Sequence, residues 1–286
     1  MSEPSAAERT LVPIGPNVPS TFRFEVRTPT LPPATHTNTY IVGDGSIVVI
    51  DPASPYPEER AALRDAILAR VQSGEHVAAI VLTHQHLDHV SGAVSLQRAT
   101  GAPIWSHPET AKRLIGRITV DRTIEEGERL PSGGRDVEAI FTPGHAPGHL
   151  CLLDHGSRAL ICGDMVASVG SILIDAEDDG DMTIYLASLA RMRTLAPSVL
   201  LPAHGPPIWN ADEHLAHYIA HRLKRESLVL SALSANPQTL DELVVTAYAD
   251  TPIAIHPIAK RSLRAHLDKL VAEGRSRGDG FHWWRY

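Results

Sequence analysis

The stretch LTHQHLDHVSGA, residues 82–93, sets His84, His86, Asp88 and His89 within six positions, directly after the apolar run Ala78 to Leu82. Imidazole and carboxylate are borderline-to-hard ligands suited to zinc. His84 and His86, two apart on an extended segment, can point the same way, and Asp88 and His89 follow as the chain bends. One short loop can therefore supply two neighbouring ions. A solvated His-rich turn is the plain alternative. In a chain of 286 residues with 16 His, however, the pattern HxHxDH arises by chance only on the order of 0.003 times, which favours the metal reading.

Two ions need more ligands than one loop gives, and the expected positions are loops at the ends of apolar strands. FTPGHAPGH presents His145 after Val137 to Phe141, ALICGD presents Asp164, and VLLPAHG presents His204. Gly144, Gly163 and Gly205 beside them let the backbone bend and approach closely. Singly, each reads as an ordinary turn residue; together, after the first loop, they read as a ligand set. Asp51, closing IVVID, and Thr83 could hydrogen-bond the ligand loop. His149 reads as a structural residue or a pocket wall, and His107, before Pro108, as a helix start. His214, His217 and His221 read as a half-exposed helix stripe, with a third metal site as the alternative.

The elements that must position these groups follow from periodicity. Strand-like runs lie at Asn38 to Val42, Ile47 to Asp51, Val77 to Leu82, Val137 to Phe141, Leu150 to Leu153, Ala159 to Cys162 and Val199 to Leu201. Helical patterns lie at Glu58 to Val71, Ile184 to Leu195 and Asp212 to Leu233. Strands alternating with helices predict an α/β layered domain over residues 22–234. Residues 1–21, with Pro4, Pro13, Pro16 and Pro19, are expected to be a loosely structured N-terminus. In residues 235–286, Thr239 and Glu242 stand at capping-box spacing, with Leu240, Leu243, Val244 and Ala247 on one face. A second helix places Leu263, Leu267, Leu270 and Val271 together and stops at Gly274. RSRGDGFHWWRY then reads as a hairpin. Two helices and a hairpin predict a small winged-helix-like domain.

Composition narrows the setting. A 43% hydrophobic chain of this length buries a sizeable core. No run approaches the roughly 18 apolar residues of a membrane span, and the start lacks a basic, then apolar, leader. A cytoplasmic protein with no membrane association is expected. Cys151 and Cys162 lie in apolar runs and read as small hydrophobes, not a disulfide. The net charge of -7 does not advertise a polyanion partner. From His217 to Tyr286, ten Lys and Arg stand against seven Asp and Glu. Lys260, Arg261, Arg264 and Lys269 avoid the apolar face, while Arg275 and Arg277 enter the hairpin beside Trp283 and Trp284. That pattern suits either a single-strand guide by phosphate contact and base stacking or a solvated face with packed tryptophans.

THQHLDH, TPGHAPGH, GD and PAHG, in this order, resemble the motif set of the metallo-β-lactamase superfamily over about residues 22–234. HTNTYIVGDG, HRLKRE and the C-terminal helix pair resemble more narrowly the beta-lactamase-like protein 2 family. The resemblance implies an α/β protein of the αββα sandwich type with a small C-terminal winged-helix-like domain. It implies two zinc ions, one held by His84, His86 and His145, the other by Asp88, His89 and His204, with Asp164 bridging. Such a pair lowers the pKa of a bridging water, so that a hydroxide exists at neutral pH and hydrolysis follows; Asp88 is the residue expected to orient that nucleophile. The family points to cleavage of single-stranded RNA. Alternatives are a thioesterase of glyoxalase II type and an iron-dependent sulfur dioxygenase. A diiron oxygen-reducing relative typically carries Glu where His86 stands, and an antibiotic hydrolase is usually exported. The expected partner is therefore a small ester or thioester, or single-stranded RNA, with a homodimer left open.

Overall fold

A computed structural model describes residues 9–286. One sheet runs β1 (Val12–Gly15), β2 (Val18–Arg27), β3 (His36–Asp44), β4 (Ser46–Ile50), β5 (His76–Leu82), β6 (Ile104–Ser106) and β7 (Arg122–Thr123), side by side in that order. It is antiparallel from β1 to β4 and parallel from β4 to β7. The second sheet comprises β8 (Val137–Phe141), β9 (Leu150–Asp154), β10 (Ala159–Gly163) and β11 (Val199–Pro202), again in sequence order, with only β10 and β11 parallel.

Strand periodicity decides which layer each side chain enters. Val48 and Ile50 of β4 and Ala79 and Val81 of β5 turn to one core, where they meet Ala139, Leu152, Ile161 and Leu201 of the second sheet. Their sequence neighbours Ile47, Val49, Ile80 and Leu82 turn the other way. There they pack on α1 (Pro57–Gln72) through Leu63 and Ile67, on α3 (Ala93–Thr100) through Leu96, and on α4 (Pro108–Leu114) through Leu114. The sandwich of two sheets and helices read from the sequence is the architecture observed. A single turn, α2 (Leu87–Val90), lies between β5 and α3. Cys151 and Cys162 are free and buried. Among the described residues, no helix is long and apolar enough to cross a membrane.

The N-terminal expectation needs correction. Residues 12–21 are not loose: β1 and the start of β2 form the edge of the large sheet. Pro13 sits on the edge strand and Pro19 on an exposed position of β2, the places where a sheet tolerates a missing N–H. Residues 1–8 lie outside the described residues.

Two units emerge from the packing, and they do not follow the boundary at 234. The first takes residues up to 142, 148–171 and 196–211; the second takes 143–147, 172–195 and 212–286. The second unit holds α5 (Met182–Thr194), α6 (Ala211–Ala232), α7 (Leu240–Ala247), α8 (His256–Ala272), β12 (Ser276–Gly278) and β13 (Trp283–Arg285). Thr239 and Glu242 form the capping box of α7, and β12 and β13 pair as the hairpin. Val229, Leu243, Val244, Leu263, Leu267, Leu270 and Trp283 share one core, so α6 belongs with this unit. Val271, expected on the apolar face, is exposed.

The basic residues of α8 are paired. Lys260 meets Asp241 at 2.6 Å, Arg264 meets Asp268 at 2.9 Å, and Arg261 forms an ion pair with Asp175. Lys269 is buried between Glu226 and Glu273 at 2.7 and 2.6 Å. Trp283, 1% exposed, packs the core and offers no face for base stacking.

Candidate metal centre

The motif sits where β5 runs out. After Leu82 the chain leaves the sheet through Thr83, His84 and Gln85, and α2 then carries Asp88 and His89. Asp51, directly after β4, ties this loop down. Its carboxylate accepts from Thr83 N at 2.8 Å and Thr83 Oγ1 at 2.7 Å, and lies 2.9 Å from His89 Nδ1. Asp51 is buried at φ 50°, in the left-handed region that Asp tolerates better than most side chains. The supporting role expected of Asp51 and Thr83 is met.

These contacts fix the imidazole tautomers. A carboxylate only accepts, so His89 Nδ1 carries the proton and its Nε2 lone pair faces away from Asp51. Thr83 gives its hydroxyl proton to Asp51, so its oxygen accepts from His84 Nδ1 at 2.9 Å. His204 Nδ1 lies 2.9 Å from His36 O, and His145 Nδ1 lies 2.9 Å from Leu173 O; both carbonyls can only accept. In its neutral form each of these four rings therefore keeps Nε2 as the lone-pair donor.

Ligand atoms of His84, His86, His145 and Asp164 lie within 4.8 Å of one another, as do those of Asp88, His89 and His204. His84 Nε2 and His86 Nδ1 are 3.0 Å apart. Asp164 Oδ1 is also 3.4 Å from His89 Nε2 and 3.2 Å from His204 Nε2, which puts it between the groups. The structure thus brings the seven sequence-predicted residues into two neighbouring groups, His84, His86, His145 and Asp164 in one and Asp88, His89 and His204 in the other. His214, His217 and His221 belong to neither group. His107 caps α4 by accepting from Glu109 N at 3.2 Å, as expected of a helix start.

The electrostatics favour positive charge. Burial opposes protonation of His89, yet Asp164, Asp51 and Asp88 hold its pKa well above the ordinary imidazole value. His204 is raised as well, against its burial, chiefly by Asp164. Burial pushes the Asp164 carboxyl up, but His204 and His89 hold it well below the usual carboxylate range. Inward lone pairs and carboxylates repel unless protons or cations lie among them. A set of imidazole nitrogens and carboxylate oxygens fits a divalent cation of the zinc kind.

Three supports were not visible as motifs. Asp164 N donates to His149 Nε2 at 3.1 Å, and His149 Nδ1 lies 2.9 Å from Thr142 Oγ1, so the buried His149 holds the Asp164 turn. At Gly163, φ +47°, a Cβ would lie 2.5 Å from that His149 nitrogen. Asn38 Nδ2 donates to Pro202 O at 2.8 Å and Gly205 O at 2.7 Å, and Asn38 N to Ala203 O at 2.7 Å, so β3 holds the His204 turn. The third support is the Leu173 carbonyl behind His145.

Residues 32–204 match the family model described as Metallo-beta-lactamase superfamily, and residues 239–283 match the Beta-lactamase associated winged helix domain. A "Beta-lactamase-like protein 2 homolog" of Caenorhabditis elegans is 29% identical over 244 residues, covering 83% of this chain and 79% of that protein. "Thioesterase pkgB" of Emericella nidulans is 31% identical over 201 residues, covering 69% of this chain and 54% of that protein. The crystal structure of a beta-lactamase domain protein from Burkholderia ambifaria superposes with a TM-score of 0.82 at 22% identity, covering 100% of this chain and 95% of that one, and shares the fold.

Proposed function

The chain belongs to the metallo-beta-lactamase superfamily, and from that premise we propose that it is a dinuclear zinc hydrolase acting on carboxylic thioesters. The observation behind the dinuclear reading is the convergence of seven His and Asp donors in two groups that share Asp164. His84, His86 and His145 would hold one ion and Asp88, His89 and His204 the other. A zinc pair, when bound, lowers the pKa of water into the neutral range and polarises a carbonyl oxygen.

The chain's own residues do the rest. Asp88 is the more exposed of the two site carboxylates, with 18% of its side chain accessible against 10% for Asp164. In this reading it accepts a hydrogen bond from an attacking water, orients it and takes its proton. Thr83 and Asp51 keep the imidazoles in one tautomer while charge develops. The leaving group of a thioester is a thiolate; since a free thiol has a pKa of about 8.5, it departs near neutral pH with little help from an acid.

Three features support the thioester over single-stranded RNA. The α8 cations that would follow a phosphate backbone are paired with carboxylates, and Trp283 is core. Leu87, between His86 and Asp88, is 58% exposed and offers an apolar contact for an acyl chain. A relative carries the name thioesterase. The test is thiol release from acyl-CoA and S-acylglutathione by zinc-loaded protein, beside a single-stranded RNA cleavage assay. Thioester turnover is expected at kcat/KM on the order of 10⁴ M⁻¹s⁻¹ or above and is lost on chelation. RNA cleavage without thiol release would overturn the substrate reading. Thiol release that survives complete demetallation, or oxygen uptake on a persulfide by protein holding one iron, would overturn the metal reading.

A further inference from the structure

The His145 ring is aimed by a carbonyl that belongs to a segment with no regular structure of its own. SILID, residues 171–175, is neither helix nor strand. Ile172, Ile174 and Asp175 are buried all the same, so ties from elsewhere must set where the backbone between them points.

Two arginines supply those ties. Arg222, on α6, donates from Nη2 to Ile172 O. Arg261, on α8, forms an ion pair with Asp175, whose main-chain oxygen accepts from Gly180 N at 2.7 Å and whose Oδ1 accepts from Glu177 N at 3.0 Å. Arg222 is only 4% exposed, and among the described residues it has no ion pair with a carboxylate. A buried guanidinium without a counter-charge is costly, and a Leu or Met would fill the space more cheaply. Its hydrogen bond to Ile172 O is the function that an apolar side chain could not perform. The next carbonyl along, that of Leu173, accepts from His145 Nδ1 at 2.9 Å. Holding the Ile172 carbonyl toward α6 fixes the plane of the Ile172–Leu173 peptide, and with Asp175 tied on the other side by Arg261 the strap is anchored at both ends of the short stretch that carries the Leu173 carbonyl. Arg222 also lies 5.4 Å over the ring of Tyr185, against whose backbone Gly144 is pressed.

We propose that Arg222, assisted by Arg261, is a positioning residue for metal binding: it holds the 172–175 strap so that Leu173 O keeps His145 in the Nδ1–H tautomer with Nε2 presented as ligand. The helices that accompany the winged-helix segment thereby set the His145 side chain of their own unit. The inference rests on the reading of His145 as a zinc ligand.

The test compares Arg222→Met, which keeps bulk but loses the donor, with Arg222→Lys, which restores one. Arg261→Ala, at an exposed side chain, covers the case in which Arg222→Met fails to fold. Zinc affinity is measured by chelator competition, and the His145 tautomer by ¹⁵N NMR of the zinc-free protein. Arg222→Met is expected to weaken one of the two ions about 10- to 100-fold and to leave His145 as a mixture of tautomers, with Arg222→Lys recovering most of both. Arg261→Ala is expected to weaken the same ion by about tenfold or less. A folded Arg222→Met protein with wild-type zinc affinity and a locked His145 Nδ1–H overturns the proposal, and so does unchanged affinity in Arg261→Ala should Arg222→Met not fold. His145→Ala runs in parallel. Undiminished binding of both ions in that variant overturns the ligand reading itself, whereas loss of an ion there, with none in the arginine variants, overturns only the positioning role.

Discussion

At the scale of single residues, the centre was legible wherever the ligating atom belongs to a side chain. His84, His86, Asp88 and His89 announce themselves by spacing, and His145, Asp164 and His204 by recurrence at strand ends beside glycine. What orients them was much less legible, because the partners are main-chain atoms. His36 O and Leu173 O could belong to any residue type, and His149 acts on the Asp164 N–H, so its own identity says little about its target. Asp51 is the exception, a polar residue closing an apolar strand, and it carries a prediction. Three donors face its carboxylate. In Asp51→Asn the amide nitrogen must turn toward one of them, leaving a buried donor unmatched and releasing His89 from its tautomer. The expected outcome is about 1–3 kcal/mol lower stability in urea denaturation and a 10- to 100-fold loss of zinc affinity in chelator competition. Full zinc affinity in the variant would remove Asp51 from the metal centre's supports.

At the scale of elements, strands buried on both faces were read within one or two residues, since IVVI and AAIVL are apolar without interruption. β2 was missed for a physical reason: VPSTFRFEVR alternates Phe24 and Val26 inward with Arg23, Glu25 and Arg27 more exposed, and the nearby prolines obscure that alternation. Loops between elements are where glycine becomes decisive. Gly144 adopts φ +127°, and a Cβ there would lie 2.3 Å from both Tyr185 Cα and N. These are backbone atoms of α5 and cannot step aside. Gly144→Ala is therefore expected to displace the 143–147 turn, which is otherwise fastened by Ser188 Oγ on Pro143 O at 2.7 Å and Asp181 N on Gly144 O at 2.8 Å. The predicted penalty is about 1–3 kcal/mol in denaturant midpoint analysis, with zinc affinity falling in parallel. An unaltered zinc affinity would mean that this turn does not set the place of His145.

At the scale of the whole molecule, the sequence suggested a cut near residue 234, yet the second unit gathers 143–147 and 172–195 along with the C-terminal segment. Periodicity reports which face of an element is buried, not which distant segment covers it. The same unit buries cations beside a histidine. His266, on α8, is fully buried, and among the described residues neither ring nitrogen has a hydrogen-bond partner. Burial first, then the charges of Arg222, Lys269 and Arg225 and the nearby His221, push its pKa down to about 3. It is neutral in the native state, whereas in an unfolded chain it titrates near 6.5. As pH falls, the unfolded state takes up the proton first. The contribution of His266 to stability is thus complete above about pH 6.5 and is lost progressively toward pH 3, at up to about 1.4 kcal/mol per pH unit. Replacing it by Leu removes this titration. Between pH 7 and pH 5 the wild-type second unit is expected to lose about 2 kcal/mol more than His266→Leu does. Amide exchange along α8, corrected for intrinsic rates, measures the difference. Identical pH dependence in the two proteins would show that His266 is solvated or protonated in the native state and that the acid sensitivity of this unit arises elsewhere.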